Sequence, residues 1–305
     1  MSVPSAARDI AGPPAALLEN DYPDLLRSLP ERPEKLYALG LPPDGTPALA
    51  LVGSRRPSAY GRRMARALAR EAAARGLAVV SGLAAGIDAE AHAGALEAGG
   101  KTWAVLGSGL DRVYPEENKL LARRIVEGGG CLLSEFEPGM PPLAGNFPRR
   151  NRIVAGLCWG TVVVEGRAKS GSLITARLAL SQGREVFAVP GPADSPLSEA
   201  PYLLMREGAK PVRCLDDILE DMPPGLQGGP ARAPAPGTTT EESAPGLSEI
   251  ERKILEAVGS EERGLEDLCA ATGLDPADLS APLFHMELKD LIQSLPGQRY
   301  AKKIR

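Results

Sequence analysis

Residues 48–58 read Ala48-Leu49-Ala50-Leu51-Val52-Gly53-Ser54-Arg55-Arg56-Pro57-Ser58. An unbroken apolar run is followed at once by glycine, a hydroxyl and two arginines. Such a run marks a strand buried on both faces, because a half-exposed strand alternates apolar with polar. The turn that ends it leads into a helix over residues 58–75. The unit then repeats. Leu77-Ala78-Val79-Val80 ends at Ser81-Gly82 before a helix over 88–98. Thr102-Trp103-Ala104-Val105-Leu106 ends at Gly107-Ser108-Gly109 before a helix over 116–127. Cys131-Leu132-Leu133, Thr161-Val162-Val163-Val164 and Glu185-Val186-Phe187-Ala188-Val189 read as further strands, and helices are expected after residue 152, over 172–182 and over 201–207. Short buried strands alternating with helices build βαβ units. The expected fold class is α/β: an extended Rossmann-like parallel sheet with helices on both faces.

Outward from this core the pattern changes. Residues 1–46 read as an N-terminal lead-in, partly disordered at its Pro- and Ala-rich start, with a short helix at Leu25-Leu26-Arg27-Ser28-Leu29. Residues 47–221 form the Rossmann-like domain. Residues 222–246 contain Pro223-Pro224-Gly225, Gly228-Gly229-Pro230 and Thr238-Thr239-Thr240-Glu241-Glu242. That composition cannot build a core and predicts a flexible linker. In residues 247–305, Ser248 precedes Ile250, Ile254, Leu255 and Val258 at helical spacing. A second helix over 265–271 stops at Thr272-Gly273, Asp275-Pro276 opens a third, and Pro296-Gly297 centres a hairpin. Three helices and a hairpin are the pattern of a small C-terminal winged-helix domain.

Composition narrows the function classes. Of 305 residues, 43% are hydrophobic and 24% charged, as in ordinary soluble proteins. No apolar run is long enough to span a bilayer, and the first 20 residues lack a signal peptide's basic segment and apolar core, so a cytoplasmic location without membrane contact is expected. Cys131, Cys158, Cys214 and Cys269 are too dispersed for a zinc site or a disulfide framework. Two histidines, His92 and His285, give little material for histidine catalysis or a metal site. The net charge of −4 does not announce a nucleic-acid binder. Basic and acidic residues balance over 1–221, and 247–305 is slightly acidic. A nucleic-acid site must therefore be a local basic patch on the first unit.

Such a patch is legible. In an open parallel sheet, ligands collect beyond the carboxyl ends of the strands. Four of those ends pair glycine with a small hydroxyl: Gly53-Ser54-Arg55, Ser81-Gly82, Gly107-Ser108 and Lys169-Ser170-Gly171. Turns of this kind expose backbone N–H groups, and at a helix start they meet the positive end of its dipole. Between them, Asn146-Phe147-Pro148-Arg149-Arg150-Asn151-Arg152 crowds three arginines and a ring into what reads as a basic turn leading a helix. A guanidinium suits phosphate oxygens and a ring can stack on a base. Arg62, Arg66 and Arg70, four apart, read as a solvated helix face. Neither a Walker A loop nor a Gly-x-Gly-x-x-Gly fingerprint is present. Asp88 reads as a helix cap and Asp111 as a turn residue; Glu165 remains a possible acid or base without a matching nucleophile. No catalytic residue, metal ligand or cofactor is assigned.

With these loops laid out, the sequence closely resembles the DNA-processing protein A (DprA, or Smf) family. The resemblance rests on Val52-Gly53-Ser54-Arg55, Ser81-Gly82-Leu83-Ala84 through Gly86-Ile87-Asp88, Leu106-Gly107-Ser108-Gly109 with Tyr114-Pro115 and Asn118, Phe147-Pro148-Arg149-Arg150-Asn151-Arg152-Ile153, Ser170-Gly171-Ser172-Leu173-Ile174-Thr175 and Gly183-Arg184-Glu185-Val186-Phe187. It implies a non-enzymatic protein that binds single-stranded DNA, dimerises through the Rossmann-like domain and loads RecA recombinase during natural transformation. The family's pocket residues fall on Arg55, Phe147, Arg150 and Arg152, with Lys119 and Lys169 as weaker matches. The chain departs from the family at 198–204, where Gly-x-Asn is usual, and at Cys158, where serine is usual. The winged helix could serve DNA or a protein partner. The alternative is a nucleotide-binding or phosphoribohydrolase-like enzyme on a similar core, but Pro190-Gly191-Pro192 stands where such enzymes carry Pro-Gly-Gly-x-Gly-Thr.

Overall fold

The structure is a computed structural model that describes residues 14–223, 225, 249–258, 263–288, 291–295, 297 and 299–302. The reading of disorder at residues 1–13, and nearly all of the linker reading for 222–246, lie outside the described residues. The chain divides into two compact units.

In the first unit, β3 (Ala48–Val52), β4 (Ala78–Ser81), β5 (Thr102–Leu106), β6 (Cys131–Ser134), β7 (Gly160–Val163), β8 (Glu185–Ala188) and β9 (Lys210–Pro211) are parallel. The helices between them are α2 (Ala59–Ala74), α3 (Ile87–Glu97), α4 (Lys119–Glu127), α5 (Asn146–Gly156), α6 (Gly171–Ser181) and α7 (Glu199–Arg206), with α8 (Leu215–Leu219) after β9. The period of two within β3 sorts its side chains. Ala48, Ala50 and Val52 face a core built with α5, α6 and α7; Leu49 and Leu51 face one built with α2, α3 and α8. Both faces are covered, so every residue of β3 is buried. A third apolar cluster packs α4 against Ala104, Leu106 and Leu132.

The sheet runs further than the apolar alternation suggests. Its order begins β1 (Ala15–Leu17), β2 (Leu36–Gly40), then β6-β5-β4-β3-β7-β8-β9. β2 joins β6 antiparallel, with Tyr37 opposite Ser134 and Gly40 opposite Cys131. α1 (Asp24–Arg27) and the turn after it place Leu26 and Leu29 in the same core as α5, both fully or almost fully buried. Residues 15–40, read from sequence as a lead-in, are thus structurally part of the sheet layer. The basic stretch is also helical from Asn146 onward, rather than a turn ahead of a helix.

Strand order places the site. The chain steps outward from β3 to β6 and then returns to β7 on the other side of β3. Between β3 and β7 the loops diverge to opposite faces, which opens a crevice at their carboxyl ends.

The second unit contains α9 (Glu249–Val258), β10 (Arg263–Gly264), α10 (Leu265–Thr272), α11 (Pro276–Leu288) and the hairpin β11 (Ile292–Leu295) and β12 (Arg299–Lys302). Ile254, Val258, Leu268, Leu279, Leu283, Met286 and Ile292 form its core. This is the winged-helix arrangement, and Gly273 ends α10 in the left-handed conformation.

Because Leu26 is fully buried against the sheet, Leu26→Ala should lower the unfolding free energy of the first unit by about 2–5 kcal/mol. Chemical denaturation followed by tryptophan fluorescence measures this. A loss below half a kcal/mol would show that the segment is docked without contributing to the core.

Candidate nucleic-acid interface

A groove of about 1220 Å³ opens at the switch point. Gly53, Ser54, Arg55 and Arg56 reach it from the end of β3, and Gly82 from the end of β4. Phe147, Arg150 and Asn151 enter from α5, and Arg167, Lys169, Ser170 and Gly171 from the loop after β7. Tyr114 and Pro142 close one end. Ten of the sequence-predicted residues therefore meet: Gly53, Ser54, Arg55, Gly82, Phe147, Arg150, Asn151, Lys169, Ser170 and Gly171.

The charge in this groove is lopsided. Arg55, Arg56, Arg167 and Lys169 are exposed, and none forms an ion pair among the described residues. Asp88 is the one carboxylate of the lining, and it is buried. Arg55 lies with its guanidinium carbon 5.5 Å from the centroid of Phe147. Ser170 and Gly171 line the groove at the start of α6, the positive end of an eleven-residue helix.

The other residues do different work. Arg150 is buried, and its guanidinium donates to the carbonyl of Gly82 at 2.6 Å and to that of Val105. It thereby ties the ends of β4 and β5 together beneath the groove. Burial, with Arg55 nearby and Asp88 opposing, lowers its pKa to about 10, so it stays charged at neutral pH. Gly82 is required here, since a Cβ would stand 2.5 Å from that guanidinium. Asp88 is not the N-cap of α3, a position held by Gly86. Its carboxylate accepts the N–H groups of Gly82 at 3.1 Å and Ala84 at 3.4 Å, fastening the loop in which Leu83 adopts a φ of +57°. Burial raises its pKa against the pull of Arg150. His92, buried behind this network, bonds Thr102 at 2.7 Å and is kept neutral, its pKa lowered to about 3 by burial and by Arg150.

Six predicted residues are not brought to the groove. Ser81 is buried and donates to the Leu51 carbonyl at 2.6 Å. Ser108 is buried and donates to the Arg112 carbonyl at 2.6 Å. Gly107 is a floor under Phe147, where a Cβ would come within 2.9 Å of the ring. Lys119 lies in a neighbouring pocket and pairs with Glu116 at 3.0 Å. Arg149 and Arg152 flank a different face of α5. Both meet the mostly covered side chain of Glu135, Arg149 at 2.9 Å in ion-pair rather than hydrogen-bond geometry, and Arg152 also donates to the Glu31 carbonyl at 2.6 Å. Arg62 and Arg66 pair with Glu90 and Glu97 of α3. Glu165 accepts from the backbone and hydroxyl of Ser58 at 2.9 and 2.5 Å and so holds the residue that caps α2, whose hydroxyl accepts the Gly61 N–H. Sequence reasoning left Arg56, Arg167 and Tyr114 out of the site. The first two sit beside chosen residues in the same loops, and that adjacency to Arg55 and Lys169 was the available signal.

Arg150→Ala should destabilise the first unit by about 3–5 kcal/mol, since it strands two buried carbonyls and the Asp88 carboxylate. Arg55→Ala should change stability by less than about 0.5 kcal/mol. Urea titration of the two variants tests the contrast, and equal losses would overturn it.

A family model for DNA recombination-mediator protein A matches residues 15–223, and one for the DprA winged helix domain matches residues 238–298. Protein Smf of Escherichia coli is 41% identical over 285 residues, covering 93% of this chain and 73% of that protein. DNA processing protein DprA of Bacillus subtilis is 43% identical over 205 residues, 66% of this chain and 68% of that one. Among solved structures, DprA from Streptococcus pneumoniae superposes with a TM-score of 0.63 at 40% identity, over 68% of this chain and 74% of that one. DNA processing protein A from Helicobacter pylori, a structure described for its single-stranded DNA binding mode, gives 0.60 at 30% identity over 67% and 93%. The chain belongs to the DNA recombination-mediator protein A family.

Proposed function

We propose that the groove binds single-stranded DNA, without chemistry, as part of the processing of incoming DNA in transformation. The observation that carries this is four exposed cations that form no ion pair among the described residues, gathered at the switch point around one buried carboxylate. Arg55, Arg56, Arg167 and Lys169 hold phosphates, helped by the backbone at Ser170 and Gly171. Phe147 presents a ring to the strand. Arg149 and Arg152, engaged with Glu135, stand outside this site, and Arg150 supports it from below. The resemblance to the single-stranded DNA-binding structure from H. pylori supports the same reading.

The reading extends to a homodimer through the Rossmann-like unit and to the loading of RecA on the bound strand, both in the cytoplasm. Among the described residues no helix is long and apolar enough to cross a membrane. Leu180 on α6 and Tyr202 on α7 are large apolar side chains left about half exposed, surface that a second copy would cover.

Four phosphate contacts to a single strand predict that log K falls with log salt at a slope of about −3, and that Arg55→Ala with Lys169→Ala makes it shallower by about 1.4. Fluorescence anisotropy with an oligo-dT measures both, and an unchanged slope would sink the assignment. The same double variant should lengthen the lag of RecA filament assembly on that DNA; an unchanged lag would separate RecA loading from this groove. In sedimentation velocity, Tyr202→Glu should shift the species from dimer toward monomer, and identical behaviour of the two proteins would remove α7 from the interface.

A further inference from the structure

Beyond the groove lies a smaller pocket of about 230 Å³, lined by Asp111, Arg112, Tyr114, Glu116, Lys119 and Pro142 among others. Tyr114 and Pro142 line both cavities, so they form the ridge between them. This pocket differs chemically from the groove. Two carboxylates line it, Lys119 is already paired with Glu116, and Asp111 accepts the Gly139 N–H at 2.7 Å. Arg112 is a second cation of the lining, so the two carboxylates offset the two cations and a phosphate meets repulsion as well as attraction. A nucleobase edge, which carries both donors and acceptors, would find partners of both kinds.

The rings on the ridge are unequally available. Phe147 is partly buried, floored by Gly107, with Arg55 and Arg150 near its ring and Tyr114 tilted 50° against it at 5.8 Å between centroids. Much of its surface is already taken. Tyr114 is 46% exposed and borders open space on two sides.

We propose that the small pocket is a nucleobase subsite: a strand whose phosphates lie in the main groove turns one base over the ridge, where it stacks on Tyr114 and lays its edge among the polar groups of Glu116 and Lys119. The inference rests on the single-strand reading of the groove. It adds a second subsite for the base, and it makes Tyr114 the principal stacking ring rather than Phe147.

The test uses the full chain and two oligonucleotides of equal length, an oligo-dT and its abasic counterpart. Tyr114→Ala should weaken oligo-dT binding about tenfold and abasic-strand binding by a clearly smaller factor, while Tyr114→Phe keeps both affinities. Equal losses on the two strands, or no loss on either, would overturn the subsite while leaving the groove assignment standing. If the wild-type chain binds neither strand, the groove assignment falls and the subsite with it. Photocrosslinking of the wild-type chain to a 5-iodouracil strand needs no variant to fold. It should label the peptide containing Tyr114, and labelling confined to the Phe147 peptide would also overturn the subsite.

Discussion

The buried guanidinium of Arg150 is the interaction on which the site depends. The ladder between β4 and β5 ends at Ser81 and Ala104, and the carbonyls of Gly82 and Val105 lie just past its last pair. Arg150 reaches in from α5 and donates to both. A buried charge is expensive unless its donors are satisfied and an opposite charge lies near. The carbonyls meet the first condition and the Asp88 carboxylate, coupled through space, contributes to the second. Asp88 in turn holds the backbone of the Gly82–Ala84 loop. One side chain therefore fixes the height of α5 above the sheet, the path of the loop after β4, and the position of Phe147 one helical turn earlier.

With that scaffold set, the distribution of ion pairs decides where an anion can go. Several arginines outside the crevice are paired: Arg62 and Arg66 with acids of α3, and Arg149 and Arg152 with one shared carboxylate, Glu135. The four exposed cations of the crevice form no ion pair among the described residues. A chain with more acidic than basic residues can still offer a positive groove, because paired charges cancel at short range and unpaired ones do not. Net charge was thus a poor guide to this surface and the local pairing a good one.

Much of the fold was legible. The strands at Ala48–Val52 and Thr102–Leu106 are continuous apolar runs, and both lie buried within the sheet as such runs require. The antiparallel β2 was not, because Leu36-Tyr37-Ala38-Leu39 has no βαβ partner in sequence and is recruited by β6, a long-range pairing that no local pattern encodes. In the site, the loops at strand ends were visible through their glycines and hydroxyls. The three arginines were not separable while 146–152 was read as a turn. As a helix the separation follows: Arg150 shares a face with Ile153 and Val154, all buried, whereas Arg149 and Arg152 project roughly together on another. The period of 3.6 alone would have sent Arg150 inward.

The contrast between Arg150 and Arg55 shows how one residue type serves two ends. Arg150 commits its N–H groups to backbone carbonyls, and its charge goes into holding the sheet ends. Arg55 places its guanidinium carbon over the Phe147 ring, 5.5 Å from the centroid. A cation over a ring is held by the ring quadrupole, and that attraction uses up none of its N–H donors. Those donors are directed along the edge of the fork, the geometry that phosphate oxygens accept. The ring thus limits the conformational freedom of Arg55 without neutralising it. Less side-chain entropy then remains to be lost when an anion arrives, and the charge that attracts the anion is kept.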